Sequence, residues 1–155
     1  DITPVGPESQ LRQDGVRIGI FMNICDVHVN RSPCDAMVER IEHCRGVFLD
    51  ARNPAASERN ESATIHMMHV HNGLEHPVVV RQVAGLIARR IVTDLSEGQD
   101  ISRGQRIGMI KFGSRLEVLV PRGLVGRVCV RHRQRVRAGL TVLLTTPDVG
   151  ETGRE

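Results

Sequence analysis

Aromatic residues and lysine are almost absent from this sequence of 155 residues, which contains three Phe, no Trp, no Tyr and one lysine, Lys111. Proteins that bind single-stranded nucleic acid stack bases on aromatic side chains, so the composition argues against that class. Biotin and lipoyl carriers present a lysine at a hairpin tip, whereas Lys111 lies in an apolar stretch. A single lysine also argues against a pyridoxal phosphate enzyme, which holds its cofactor through lysine.

Long apolar runs are missing as well. No segment approaches the roughly 18–20 apolar residues that span a bilayer, and the opening DITPVGPESQ shows no signal-peptide pattern. Because the first residue is Asp1, we expect a trimmed or processed chain. The cysteines form no C-x-x-C pair, so we expect reduced thiols and no metal site from Cys25, Cys34, Cys44 and Cys129.

Arginine supplies nearly all of the positive charge and gives a formal net charge of +3. Five arginines crowd the stretch RVCVRHRQRVR, residues 127–137, and the last four share strand parity. We expect a basic stripe that faces anionic lipid headgroups, where each basic residue contributes about 1 kcal/mol. A solvated edge and a contact with a phosphate group are the alternatives. The residues of this stripe are Arg131, Arg133, Arg135 and Arg137.

Alternation of apolar and polar residues predicts a mainly β chain with little helix. The alternation predicts one strand over residues 16–30 and favours a strand over residues 37–50. Over residues 63–92 it predicts a hairpin that turns at Asn72–Gly73 and continues into a further strand. Residues 97–110 also resemble 132–145 at an offset of 35, which suggests two similar β-hairpins. We therefore expect one compact domain, 1–155, of paired hairpins in a barrel- or sandwich-like arrangement.

Three segments carry candidate chemistry. If 26–30 is a strand, Asp26, His28 and Asn30 share one face, which places a carboxylate, an imidazole and an amide together. Gly113–Ser114 interrupts two apolar strands, which is typical of a bulge or bend and could expose a reactive hydroxyl. Arg89, beside a second arginine in QVAGLIARRIV, could bind an anion or lie at a solvated edge.

Four stretches in order, IFMNICDVHVNRSP, FLDARNPAASERNE, QVAGLIARRIV and IGMIKFGSRLEVLVP, resemble the phosphatidylserine decarboxylase family, in particular its short bacterial and archaeal branch. The resemblance covers roughly residues 16–145. It implies a proenzyme that cuts itself between Gly113 and Ser114, giving chains 1–113 and 114–155. Ser114 would become a pyruvoyl group, whose carbonyl accepts the electrons left when CO₂ departs, so that no lysine is needed.

The resemblance also assigns roles to individual residues. His28 becomes the general acid or base, since an imidazole titrates near neutrality, and Ser114 the nucleophile of maturation. Longer members carry two histidines in this stretch, and here Arg31 stands at the second position. Asn30, Arg31 and Arg89 become candidate substrate contacts. The family's upstream segment, whose aspartate assists cleavage, is not present, so we expect an N-terminally truncated member.

The implied reaction converts phosphatidylserine to phosphatidylethanolamine and CO₂ during phospholipid biosynthesis. We expect a phospholipid substrate, an anionic membrane surface on the cytoplasmic side as the place of work, a possible homodimer and no nucleic-acid partner. Histidines in HMMHVH, 66–71, with His76 could suggest a metal, but no further ligand completes the set, so we expect no metal site. The alternative function is a non-catalytic basic β-domain that binds anionic lipid or another polyanion.

Overall fold

The computed structural model describes residues 1–53, 55–86, 90–110 and 113–147. The strands are β1 Ile2–Val5, β2 Gly15–Met22, β3 Val29–Arg31, β4 Ala36–Cys44, β5 Ser62–His71, β6 Leu74–Val83, β7 Ile91–Thr93, β8 Asp100–Ile101, β9 Arg106–Ile110, β10 Ser114–Pro121, β11 Arg127–Val128 and β12 Leu144–Thr145. One short helix, α1, spans Ala56–Arg59, and one 3₁₀ turn spans Arg122–Leu124. The predicted β-rich class is confirmed.

The strands form a seven-stranded sheet, a three-stranded sheet and a two-stranded ribbon. The large sheet has the order β1-β2-β10-β6-β5-β4-β8, and the three-stranded sheet has the order β3-β9-β7. All strand pairs are antiparallel, and β1–β2, β4–β5, β5–β6 and β11–β12 are hairpin neighbours. In the described part of the chain β1 and β8 are edge strands, so the large sheet does not close into a barrel.

Alternation along the strands places the core on one face of the large sheet. Side chains of β2, β5, β6 and β10 meet there with two residues of β9, and this main core contains Met22, Ile65, Met67, Val78, Val80, Ile107, Ile110, Leu116, Val118 and Val120. Aliphatic residues and methionine fill it. No helix among the described residues is long and apolar enough to cross a membrane.

The predicted hairpin of residues 63–83 is confirmed as β5 and β6, which pair from Ser62–Val83 to His71–Leu74. Its two turn residues have left-handed backbone angles, with φ of 52° at Asn72 and 74° at Gly73. Two positive φ values in a two-residue loop define the type I′ turn that an Asn-Gly pair favours.

The single strand predicted for residues 16–30 is wrong, because β2 ends at Met22. The backbone N–H of Asn23 donates to Asp26 Oδ2 at 2.7 Å, and the Asn23 side chain accepts the N–H of Ile24 at 2.8 Å. These bonds replace the strand ladder with a turn, since short polar side chains compete for backbone groups. Asp26, His28 and Asn30 therefore do not share a strand face.

The internal repeat is real at the level of its turns. Gln99 Oε1 accepts the N–H of Ser96 at 3.0 Å, and Gln134 Oε1 accepts the N–H of Arg131 at 2.9 Å. The expected pair of hairpins is wrong, however, because β8 pairs with β4 whereas β9 pairs with β3 and β7. The repeated unit is a glutamine-closed turn, and the strand partners on its two sides differ.

Candidate active site

Gly113 and Ser114 lie where the chain passes from the three-stranded sheet, at the end of β9, into the centre of the large sheet, at the start of β10. The sequence predicted a bulge or bend here, whereas in the structure the chain crosses from one sheet to the other at this point. Gly113 has a φ of 64°, in the left-handed region that costs a residue with a Cβ about 1–2 kcal/mol. The crossing therefore favours glycine on its amino side.

The hydroxyl of Ser114 is buried and has no hydrogen-bond partner within the described residues. Ser114 is fully inaccessible, and β2 places Met22 directly opposite it. Burying a hydroxyl without a hydrogen-bond partner costs about 1–3 kcal/mol of folding free energy, so each such group calls for an explanation. Ser114 has the nucleophilic atom that cleavage at the preceding carbonyl would use.

The carbonyl of Gly113 packs directly against Gly85, which follows β6. A Cβ at position 85 would overlap the Gly113 carbonyl oxygen and lie 2.7 Å from its carbonyl carbon. Asn60 Nδ2 donates to the carbonyl of Ala84 at 2.7 Å and holds this segment in place. Gly85 was not among the predicted site residues, although an isolated glycine in an apolar run can indicate a close backbone approach.

His28 lies at the same end of the three-stranded sheet, in the turn segment between β2 and β3. Its carbonyl accepts the N–H of Ile110, the last residue of β9, at 3.3 Å. Its imidazole is half-buried, with Nε2 3.4 Å from the carbonyl oxygen of Ile24. The backbone of His28 is thus tied to the strand that leads to Gly113.

Asn30 is buried at the head of a chain of three hydrogen-bonded side chains. Gln82 Nε2 donates to Asn30 Oδ1 at 2.8 Å, and Thr93 Oγ1 donates to Gln82 Oε1 at 3.0 Å. These bonds fix the Asn30 amide so that its Nδ2 faces Met22 Sδ at 3.8 Å. Since Met22 opposes Ser114, the amide donor points toward the β2–β10 pair near the cleavage position.

The two arginines predicted beside the site have different outcomes. Arg31 is exposed, and its Nη1 donates to the carbonyl of Gly104 at 2.8 Å. Its side chain packs beside Gly139, where a Cβ would lie 2.9 Å from Arg31 Cδ. It is not hydrogen-bonded into the Asn30–Gln82–Thr93 chain. Arg89 lies outside the described residues.

A buried ionic cluster occupies the opposite face of β10 and was missed by the sequence analysis. Glu117 is 1% exposed, and its Oε1 accepts hydrogen bonds from Arg115 Nε and Ser57 Oγ, each at 2.8 Å. Arg81 hydrogen-bonds the carbonyl of Ser57 and lies 3.7 Å from Glu117 Oε2. Burial lowers the pKa of Arg81, and the Glu117 charge opposes that shift. This cluster links α1 to β10, on the face of the large sheet opposite the main core.

A wide cavity of about 1700 Å³ extends from the site to the C-terminal segment. Met22 and Leu116, which belong to the strand pair that carries Ser114, line this cavity together with Asn30. The arginines of residues 131–137 line it as well. The described residues contain no group of three or more His, Cys, Asp or Glu side chains arranged to hold a metal ion.

The fold and the site therefore define a β-rich protein with a left-handed glycine before a buried serine at a sheet crossing. The sequence profile described as phosphatidylserine decarboxylase matches residues 5–144, and the chain belongs to this family. No solved structure matches the chain.

Named relatives agree with the family assignment. The chain is 46% identical over 145 residues to the phosphatidylserine decarboxylase proenzyme of Nitrobacter winogradskyi, a match that covers 92% of this chain and 57% of the relative. The proenzyme of Burkholderia mallei is 39% identical over 136 residues, covering 88% and 61%. That of Azorhizobium caulinodans is 47% identical over 128 residues, covering 83% and 52%. The chain thus spans a little over half the length of these relatives.

Proposed function

We propose that this chain is the core of a pyruvoyl-dependent phosphatidylserine decarboxylase, which forms phosphatidylethanolamine and CO₂ after self-cleavage between Gly113 and Ser114. The observation that carries the proposal is the buried Ser114 hydroxyl, which has no hydrogen-bond partner among the described residues and directly follows a left-handed glycine. Family membership and the proenzyme names of the relatives support the same reaction.

Maturation would begin when Ser114 Oγ attacks the carbonyl carbon of Gly113. An ester bond to Oγ forms, the Gly113–Ser114 amide bond breaks, and the hydroxyl proton ends on the freed Ser114 nitrogen. Loss of the Ser114 α-proton then expels the Gly113 carboxylate and leaves a dehydroalanine. Water hydrolyses its imine tautomer, ammonia leaves, and position 114 carries the pyruvoyl group.

His28 is our candidate for the proton transfers, because an imidazole can both accept and return a proton and its backbone is bonded to the strand that leads to Gly113. The Asn30 amide, whose Nδ2 faces Met22 Sδ opposite Ser114, is our candidate donor to the negative charge that develops during cleavage. The pyruvoyl carbonyl, once formed, supplies the electron sink for decarboxylation. The protein environment would orient the substrate and exclude water, and the buried start of β10 suits that task.

The partners follow from the same proposal. The substrate is a phospholipid, and we place the protein peripherally on an anionic membrane at the cytoplasmic face, with a homodimer as the possible assembly. The arginines of 131–137 make no ion pair within the described residues, which supports an anionic partner. The same observation favours the second candidate, a basic β-domain that binds polyanions without processing.

Intact-mass analysis of a full-length protein, with the upstream segment that its relatives carry, tests the proposal. We expect two fragments divided at Gly113/Ser114, the smaller one lighter by one ammonia than a peptide that begins with serine. Ser114→Ala should remain a single chain and release no CO₂ from phosphatidylserine. A full-length protein, with all segments present in its relatives, that stays uncut would refute the enzyme and leave the polyanion-binding domain.

A further inference from the structure

Gln82 is a polar side chain at a position that continues the main core. The residues of β6 that belong to this core are Val78 and Val80, and the alternation of the strand puts Gln82 next in the same row. Gln82 is fully buried, and β10 places Leu116 of the main core directly opposite it. A buried amide in place of an aliphatic side chain costs free energy unless its hydrogen bonds are made, so its partners call for an explanation.

The Gln82 side chain reaches the three-stranded sheet at Gly108. In that sheet Gly108, on the central strand β9, pairs with Asn30 of β3 on one side and with Thr93 of β7 on the other. A Cβ at position 108 would lie 2.9 Å from Gln82 Nε2, so glycine leaves room for the amide between its two partners. Gln82 bonds both of them and thereby bridges the two sheets.

The direction of this chain of hydrogen bonds follows from its far end. The Asn30 amide faces Met22 Sδ at 3.8 Å, and a thioether sulfur accepts hydrogen bonds but cannot donate them. The NH₂ group of Asn30 therefore faces the sulfur, which leaves Asn30 Oδ1 to accept from Gln82 Nε2. Gln82 Oε1 then accepts from the Thr93 hydroxyl. Each amide of the chain is thus held in one of its two orientations.

The Asn30 amide ends beside the face of the sheet that carries the Ser114 side chain. Met22 lies directly opposite Ser114, and opposed residues on antiparallel strands project to the same face with their Cβ atoms about 4.5–5.5 Å apart. Because the Met22 sulfur is a weak acceptor, the Asn30 N–H groups keep most of their capacity to donate. An oxygen that gains negative charge in a buried site is a stronger acceptor, and a donor that is already oriented stabilises it without reorganisation.

We propose that Gln82 and Thr93 are positioning residues for self-cleavage, which hold the Asn30 amide with its N–H groups, rather than its carbonyl, toward the start of β10. The inference rests on the proposed function for the reaction and on the hydrogen-bond chain for the orientation. Both residues act through Asn30. An aliphatic residue at position 82 would fill the same space but would not select one of the two amide orientations.

Gln82→Glu makes the direction of the chain depend on pH. An ionised carboxylate only accepts, so Asn30 would turn its NH₂ group toward position 82 and present its carbonyl to Met22, whereas a protonated carboxyl donates from its O–H and restores the original direction. Burial raises the pKa of a carboxyl group, which brings this change toward neutral pH. The partners of position 82 on the core side are uncharged, and Arg81 pairs with Glu117 on the opposite face.

The test follows fragment formation by the full-length protein from about pH 6 to about pH 9. We expect the rate of Gln82→Glu, divided by the parent rate, to fall at least tenfold as the pH rises and to approach about one hundredth, which is typical of losing one oriented donor. Dividing by the parent rate removes the titration of His28. Gln10→Glu, at an exposed position, should stay within twofold of the parent throughout. A ratio for Gln82→Glu that does not change with pH would overturn the inference.

Thr93 supplies a test that introduces no charge. Thr93→Val removes the hydroxyl that donates to Gln82 Oε1, so we expect cleavage to slow about tenfold. Thr93→Ser keeps a hydroxyl and should recover most of that rate. Melting temperatures are measured in the Ser114→Ala background, where no cutting interferes. Equal rates for the valine and serine variants would contradict the role of this hydroxyl, including the case in which Gln82→Glu does not fold.

A further measurement does not depend on cleavage. In the uncut Ser114→Ala protein we expect a nuclear Overhauser effect between the side-chain amide protons of Asn30 and the methyl group of Met22, and its loss when Gln82→Glu is added at high pH. Absence of this signal in Ser114→Ala alone would overturn the orientation, whatever the protein catalyses. A full-length parent that stays uncut would refute the proposed function and the catalytic purpose of the chain, while the signal would still report the orientation.

Discussion

A methyl group at position 85 should slow maturation strongly. The Cβ of Gly85→Ala would overlap the Gly113 carbonyl oxygen and lie 2.7 Å from the carbonyl carbon, so the carbonyl group must move by about 1 Å or more. The segment at Ala84 cannot easily move away, because both of its backbone groups are hydrogen-bonded. The Ala84 N–H donates to the carbonyl of Glu61 at 2.9 Å, and the Ala84 carbonyl accepts from Asn60 Nδ2.

Misplacing a reacting atom by about 1 Å can cost roughly a hundredfold in rate. We therefore expect Gly85→Ala to slow cleavage about 10- to 100-fold, which corresponds to about 1.4–2.7 kcal/mol of activation free energy. The assay is the time course of fragment formation on denaturing gels, calibrated by intact mass.

Gly123→Ala is the control, because no atom lies within 4 Å of a Cβ there and its φ is not in the left-handed region. The melting temperature of each variant is measured in the Ser114→Ala background, where no cutting interferes. Cleavage of Gly85→Ala at the parental rate would refute the argument that this contact positions the carbonyl.

Three further changes test the surroundings of the site. Gln82→Leu should lower the free energy of unfolding, measured in urea, by about 2 kcal/mol, because it leaves the buried Asn30 side-chain carbonyl and the Thr93 hydroxyl without their hydrogen-bond partner. A loss no greater than that of Gln10→Leu, at an exposed position, would contradict this. Glu117→Gln should cost about 3–5 kcal/mol, mainly because buried Arg81 loses its counter-charge, whereas Arg115 keeps its ion pair with Asp1. Glu42→Gln, in an exposed pair with Arg40, should cost at most about 1 kcal/mol; similar losses would refute the difference. Burial, with a smaller effect of Asp35, raises the pKa of Cys34 to about 12. Its thiol therefore stays protonated at pH 8, and iodoacetamide should alkylate exposed Cys25 and Cys44 well before Cys34, as peptide mass spectrometry would show.

The sequence predicted the elements whose signals are local. The Asn72–Gly73 hairpin and the alternation of β2 up to Met22 follow from turn chemistry and strand periodicity, and both are in the structure. The strand error beyond Met22 arose because Ile24 continues the apolar alternation, although it is 48% exposed in a turn closed by Asp26. Apolar periodicity alone does not show that the Asp26 side chain takes the backbone N–H that a strand would need.

Contacts between distant segments could not be predicted in the same way. Ser57 and Glu117 are 60 positions apart, and Gln82 and Asn30 are 52 apart. Nothing in either local pattern indicates that these side chains meet, since strand order determines which of them become neighbours. The roles given to Ser114, Gly113 and His28 came from family resemblance and stay predictions, now with defined positions for each.

The position of β10 between β2 and β6 determines what a cut before Ser114 would leave behind. The shorter product would contribute an interior strand of the large sheet, hydrogen-bonded on both sides to strands of the longer product. The two products could then separate only if the sheet itself came apart. Dissociation and unfolding would be one event, and the stability of the cut protein would depend on its concentration.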